Sequence, residues 1–305
     1  MPASQRICIV GPGAMGAYYF KKLEDARPGN TYILAGGERA EELQRNGLTV
    51  NDQLYRPQIK GPSEGGAGAG LLIVAVKHHH LDQAIADMQG HVGGDSLILS
   101  VMNGIESEER LAEAFGWDRV LYGVALGIDA LRDGRRVSYT KEGTLYFGRA
   151  RNSGEDEAVA RIRGWLETAG IPFEIPEDML RVLWWKYMIN VGVNQVSAVL
   201  RAPFRVFQTS EAALRLMDKA MQEVIAVAEA KGISIGPEDV RRWHEVLAGL
   251  SPEGRTSMCQ DVEAGRKTEV EMFAGRLIEL GRQTGVATPV NETLFDLIQA
   301  LESRQ

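Results

Sequence analysis

The feature that most restricts what this chain can become is Gly11-Pro12-Gly13-Ala14-Met15-Gly16. It follows an apolar run, Arg6–Val10, and opens a stretch of helical composition, Ala14–Asp25. In a strand–turn–helix setting the three glycines have separate tasks. Gly11 permits the tight turn, Gly13 lets a pyrophosphate approach the backbone, and Gly16 lets helix and strand pack closely. The helix start at Ala14 and Met15 then offers unpaired N–H groups to a phosphate. The competing reading is a glycine-rich turn that binds nothing; the strand, the helix and the N-terminal placement together weigh against it.

The rest of the first half supports that setting. Short apolar runs rich in β-branched residues recur at Tyr32–Leu34, Leu71–Val76, Leu97–Val101 and Val120–Val124. Helical stretches separate most of them: Glu38–Arg45, Leu81–Met88 and Ser107–Phe115. Continuously apolar strands alternating with helices predict a parallel sheet covered on both faces. Arg132-Asp133-Gly134-Arg135 reads as a hairpin turn, so the sheet is expected to finish with antiparallel strands. A helix over Glu155–Ala169 and a strand over Pro172–Ile175 would complete this half, and Gly61–Gly70 reads as a surface loop. Beyond Pro176 the strand signal stops. Leu214, Met217, Met221, Val224 and Ala228 recur at helical spacing, and Pro237 and Pro289 open further helices. The expected fold is α/β: an N-terminal Rossmann-type dinucleotide-binding domain, residues 1–177, and a C-terminal all-helical substrate domain, residues 178–305.

Charge and cysteine content narrow the functional classes. Across 305 residues, 34 basic and 41 acidic side chains leave a net charge of −7, which gives no electrostatic footprint for nucleic acid or a membrane surface. Two cysteines, Cys8 and Cys259, make neither a disulfide framework nor a metal site. No apolar run approaches the roughly 20 residues of a membrane span, and Ile7–Val10 is too short for a signal peptide. A soluble, cytoplasmic protein without a bound metal is expected.

Two further segments carry chemistry. Lys186, Asn190 and Asn194 are spaced by four inside the apolar stretch Leu183–Asn194, so they share one helical face. A lysine and two amides in a buried helix are costly without partners; the plainer reading is a solvated stripe. Ser257–Glu271 contains Gly265, which breaks a helix, and Thr268-x-x-Glu271, which reads as a capping box. Glu269 would then stand in the first turn of the next helix, a placement that needs no function to explain it. For the cofactor, no acid ends the second strand, whereas Glu38 and Arg39 follow it together. Arg39 would suit a 2′-phosphate, and both residues could equally be a solvated first turn.

Taken together, these segments resemble the ketopantoate reductase (2-dehydropantoate 2-reductase) family over essentially the whole chain. The resemblance rests on the Gly-rich turn, Val76-Lys77, Asn103-Gly104 and Leu183-Trp184-x-Lys186-x3-Asn190-x3-Asn194. It continues through Ser257-Met258-x-Gln260-Asp261, Gly265-Arg266-x-Thr268-Glu269 and Gly285-Val286-x-Thr288-Pro289. It implies reduction of a 2-keto acid, typically ketopantoate, with NADP(H) on the route to pantothenate and coenzyme A. By the same resemblance Lys186 is the general acid and Glu269 an essential carboxylate. Asn190, Asn194 and Ser257 would hold substrate, and Asn103 and Lys77 would line the nicotinamide and substrate site. The chain departs from the family at Gly36, where an arginine is usual, and in the run His78-His79-His80, whose side chains diverge too much for a metal site. Two alternatives remain at this stage: a related reductase of another 2-keto acid or an imine, and a non-catalytic dinucleotide sensor. The apolar helical half could supply a homodimer surface.

Overall fold

The structure, a computed structural model, describes residues 5–66 and 68–303. The chain divides into two compact units, Met1–Val182 and Leu183–Gln305.

The first unit is built on a sheet. Its strands are Ile7–Val10 (β1), Thr31–Leu34 (β2), Leu48–Val50 (β3), Gln53–Tyr55 (β4), Gln58–Lys60 (β5), Ala69–Val74 (β6), Val92–Ser100 (β7), Val120–Ile128 (β8), Leu131–Asp133 (β9), Arg136–Ser138 (β10), Glu142–Gly148 (β11) and Phe173–Glu174 (β12). Eight of them form the main sheet in the order β12-β11-β8-β7-β6-β1-β2-β5. From β5 to β8 the pairing is parallel, and β11 joins β8 antiparallel. The alternation of side chains explains the unbroken apolar runs. Ile7 and Ile9 enter a core with Tyr18, Tyr19, Phe20, Ile162 and Leu166. Cys8 and Val10 enter another with Leu81, Met88 and Leu111. Both faces are covered by helices, so every position must be apolar.

The predicted hairpin exists, but not at the end of that sheet. β9 and β10 pair with β3 and β4 in a separate four-stranded sheet, and Gly134 turns the hairpin at φ +56°. β3 to β5 gave no sequence signal because they are three residues each and partly exposed. The Gly61–Gly70 segment is also more than a surface loop. A Cβ on Gly65 would lie 1.5 Å from the Gly90 carbonyl oxygen, so two backbones pass in contact there. Residue 67 lies outside the described residues.

The second unit is helical, centred on Glu211–Ala230, whose Met217, Met221, Val224 and Ala228 are buried. Around it pack Arg205–Thr209, Pro237–Ala248, Arg276–Thr284 and Pro289–Glu302. Glu223 accepts from the N–H groups of Val290 (2.8 Å) and Asn291 (3.0 Å), anchoring the last helix to the central one. Among the described residues no helix is long and apolar enough to cross a membrane.

His91 gives the first unit a pH limit. It is wholly buried, and its Nε2 lies 2.9 Å from the Gly61 carbonyl, which can only accept. Nε2 therefore carries the proton, and Nδ1 accepts from the Tyr32 hydroxyl at 2.9 Å. Burial lowers its pKa, with Lys60 adding to the shift and Glu64 and Asp87 opposing it. The unfolded chain therefore takes up a proton below about pH 6.5 that the fold refuses. Denaturant titrations at pH 7.5, 6 and 5 should show stability falling through this window, by at most about 1.4 kcal/mol per pH unit from this group. His91→Gln should flatten that part of the profile.

Candidate functional site

In the first unit, topology gathers the predicted residues at the carboxyl edge of the sheet. Ala75 N donates to Val10 O (2.8 Å) and Val101 N to Val74 O (2.9 Å), so β1, β6 and β7 end level. From β1 the chain moves outward to β2, then returns on the other side through β6. That reversal is the switch point at which open α/β sheets bind ligands. The Gly-rich turn follows β1, Lys77 follows β6 by three residues, and Asn103 follows β7 by three.

Each glycine has the geometry its assigned task requires. Gly11 sits at φ +89°, and a Cβ on it would strike Val76 Cγ1 at 2.6 Å. Gly16 is pressed against the same turn, where a Cβ would lie 2.1 Å from the Gly11 carbonyl oxygen. A Cβ on Gly13 would meet nothing within 4 Å. The one glycine expected to face a ligand is thus the one with open space before it. Ala14–Ala26 starts there with no side-chain cap, leaving the N–H groups of Ala14, Met15 and Gly16 without intrahelical acceptors.

Arg39, in the helix Gly37–Asn46, reaches back to this turn, its Nη2 donating to the Pro12 carbonyl at 3.3 Å. Its Nη1 pairs with Glu42, and that bond, ahead of any other favourable contact, holds the Glu42 carboxyl below its usual range. The hairpin adds two charges that sequence reasoning missed. Arg132 and Arg135 both act on Glu42, and Arg132 has its pKa lowered by desolvation and by Arg39. Nothing in the sequence marks this, because the hairpin is nearly a hundred residues from Arg39. Glu38 is exposed. His78–His80 form a single 3-10 turn after Lys77, with His79 and His80 exposed and their rings 4.2 Å apart. Among the described residues no three His, Cys, Asp or Glu side chains gather around a metal position.

The second unit carries the remaining candidates. Lys186 is half-buried in Met179–Ile189. The helix then widens into a π turn, Asn190–Asn194, and resumes as Gln195–Leu200. This corrects the assumption of regular four-residue steps. Gly192 stands in the middle of that turn, where a Cβ would meet the Met221 side chain at 2.6 Å, so the central helix packs directly against the widened backbone. π turns in helices are frequent at functional sites. Here one leaves Asn194 Nδ2 donating to Asn190 Oδ1 at 3.3 Å, while Asn190 Nδ2 is buried without a partner. An orphaned buried donor costs about 1–3 kcal/mol unless an acceptor arrives.

Ser257 begins the helix Ser257–Glu263 and is exposed. Thr256 caps that helix by accepting from Cys259 N (3.1 Å) and donates to Ser197 (3.2 Å), which fixes it against Gln195–Leu200. Glu269 precedes the next helical segment and its carbonyl accepts from Met272 and Phe273. The expected capping box does not form. Thr268 N donates to Glu302 Oε1 (2.7 Å) and Glu271 pairs with Lys267 (3.1 Å), because the segment opens as a second π turn, Glu271–Gly275, and the end of Pro289–Glu302 comes alongside. The two π turns touch, and Ser257–Glu263 touches the first. Tyr187, the residue after Lys186, donates to the Phe273 carbonyl at 2.6 Å and joins the Lys186 helix to the Glu269 segment. That contact links residues 86 apart, so local sequence could not reveal it.

A dinucleotide-type crevice in one unit and a lysine–amide face in the other define an oxidoreductase scaffold. The chain belongs to the ketopantoate reductase family: models described as "Ketopantoate reductase PanE/ApbA" and its C-terminal part match residues 7–152 and 178–302. A 2-dehydropantoate 2-reductase of Halobacterium salinarum is 28% identical over 302 residues, covering 96% of this chain and 98% of that one. The structure of a 2-dehydropantoate 2-reductase from Geobacter metallireducens superposes with a TM-score of 0.84 at 28% identity, covering 97% and 99%. The fold is also that of D-mandelate dehydrogenase, solved with NADH and anilino(oxo)acetate: TM-score 0.87, 22% identity, 98% and 99% covered.

The glycine geometry makes a contrast that needs no ligand. Gly13→Ala should cost no more than about 1 kcal/mol, since alanine is the poorer helix N-cap but the added methyl meets nothing. Gly16→Ala should cost about 1–3 kcal/mol through overpacking. Chemical denaturation of both variants checks this.

Proposed function

We propose that this chain is an NADPH-dependent reductase of ketopantoate, forming pantoate on the route to pantothenate and coenzyme A. The observation that carries the reading is the orphaned Asn190 amide beside Lys186 on the π-turned helix. The carboxylate and ketone oxygens of a 2-keto acid are all acceptors, which such a face would take. NADP(H) fits the first unit, where Gly13 leaves open space, the N–H groups of Ala14, Met15 and Gly16 await an anion, and Arg39 lies on the turn to take the 2′-phosphate. When bound, the cofactor would supply the hydride for the carbonyl carbon. Lys186 would stabilise the charge growing on the carbonyl oxygen and donate its proton there. Asn190, Asn194 and Ser257 would orient the substrate without adding charge. Glu269 would bind the substrate hydroxyl or keep Lys186 protonated. Asn103 and Lys77 would line the nicotinamide and substrate positions.

The fold shared with D-mandelate dehydrogenase favours a second reading, in which the 2-keto acid is not ketopantoate. Oxidation of NADPH and NADH by the purified protein with ketopantoate and a panel of 2-keto acids separates the two. No turnover on any of them, with the dinucleotide still bound, would return the chain to a sensor.

Three outcomes follow for variants. Arg39→Ala should raise KM for NADPH more than for NADH, and a native preference for NADH would count against the 2′-phosphate assignment. Lys186→Ala should lower kcat by about 10²–10⁴-fold, the usual loss of a positioned general acid, with NADPH affinity kept. Glu269→Ala should lower kcat/KM strongly; if it lowered only the melting temperature, its role would be that of a helix start.

A further inference from the structure

Beneath the loop that carries Asn103 lies a carboxyl group that the proposed chemistry does not use. Glu108 is 1% exposed and stands in the first turn of Ser107–Phe115. Its Oε2 accepts from Ser107 Oγ at 2.9 Å. Ser107 Oγ is 2.7 Å from Ser100 Oγ, which in turn accepts from Met102 N at 3.3 Å. Three bonds thus connect the carboxyl to the backbone amide immediately before Asn103. Gly123 on β8 closes over this chain, since a Cβ there would lie 2.1 Å from the Ser100 carbonyl oxygen.

The chain has a direction, because the Met102 N–H can only donate. With Glu108 ionised, every proton points the same way: Met102 to Ser100, Ser100 to Ser107, Ser107 to the carboxylate. A proton on Oε2 turns that end into a donor and forces both hydroxyls round, so the Ser100 proton must leave the chain. A proton on Oε1 meets no acceptor, for that oxygen is buried and has no partner. Burial pushes the Glu108 carboxyl up to about 7, against the N–H groups of Glu108 and Gly123 and the Ser107 hydroxyl, with Glu109 raising it further. From β8, Tyr122 faces the same carboxylates, and its own phenol is pushed up by burial and by both of them. Arg110, two residues on, pairs with Asp82 of the helix Leu81–Met88.

We propose that Glu108 is a positioning residue: through Ser107 and Ser100 its ionised carboxylate holds the Met102–Asn103 loop in the form that receives substrate, and protonation releases it. This rests on the reading that Asn103 lines the site. The test uses amide NMR of the full chain between pH 5.5 and 8.5, with KM for ketopantoate at saturating NADPH over the same range. Met102 and Asn103 should titrate with a midpoint near that of Glu108. KM should rise roughly fivefold from pH 8 to pH 6, the worth of about one hydrogen bond, with a smaller change in kcat. Glu108→Gln, whose amide oxygen still accepts from Ser107, should abolish both dependences. Ser107→Ala cuts the chain but keeps the carboxyl, so the Glu108 amide should still titrate while Met102 and Asn103 do not; it decides the matter if Glu108→Gln fails to fold. A loop that does not titrate in the parent protein, or titrates equally in these variants, overturns the proposal. So does a titrating loop with a pH-independent KM in an active enzyme. The NMR readout needs no turnover, so an intact titration in a protein that reduces no keto acid would count against the proposed function alone.

Discussion

The first unit depends on how closely the helix Ala14–Ala26 can approach the strand before it. At Gly16 the approach leaves no room for even a methyl, because the Gly11 carbonyl oxygen occupies that place. This contact fixes where the helix begins, and with it where the uncapped N–H groups of Ala14 to Gly16 lie. It also leaves Gly13 as the half-buried middle of the turn, with open space before it. Gly11 in turn is wedged against Val76, so the turn after β1 and the segment leading to Lys77 cannot move independently.

The second unit solves a comparable packing problem with a comparable device. The helix carrying Lys186 admits an extra residue in one turn, and Gly192 in that turn packs against Met221 of the central helix. The widened turn leaves an asparagine amide buried and unpaired, a standing cost that only an incoming acceptor would remove. The Tyr187 hydroxyl then ties this helix to the π turn after Glu269. In both units a glycine permits close packing, against backbone at Gly16 and against the Met221 side chain at Gly192.

Charge is distributed on the same principle. The chain as a whole is acidic, yet Arg39, which itself reaches the Gly-rich turn, gathers with Arg132 and Arg135 around Glu42. Those positive charges hold the Glu42 carboxylate ionised, and the cluster is available to an anion with more charge than a single carboxylate. Under the proposed function, Arg39 would stand in for the arginine that is usual in the family at Gly36.

Much of this was legible in the sequence, for local reasons. Strands buried on both faces must be apolar throughout, so β1, β2, β6, β7 and β8 announced themselves, and the three glycines carried their tasks in their spacing. Lys186, Asn190 and Asn194 likewise stood out as polar residues in an apolar segment, although the π turn that spaces them did not. What the tertiary structure decided was whatever depends on partners distant in the chain. The short half-exposed strands joined a hairpin almost ninety positions away. Glu302 displaced Glu271 as the partner of Thr268, the helix after Lys186 opened into a π turn, and Ser107 and Ser100 linked Glu108 to the Asn103 loop. A three-residue strand or a single cap gains too little from its own sequence to select one partner, so the selection falls to the packing around it.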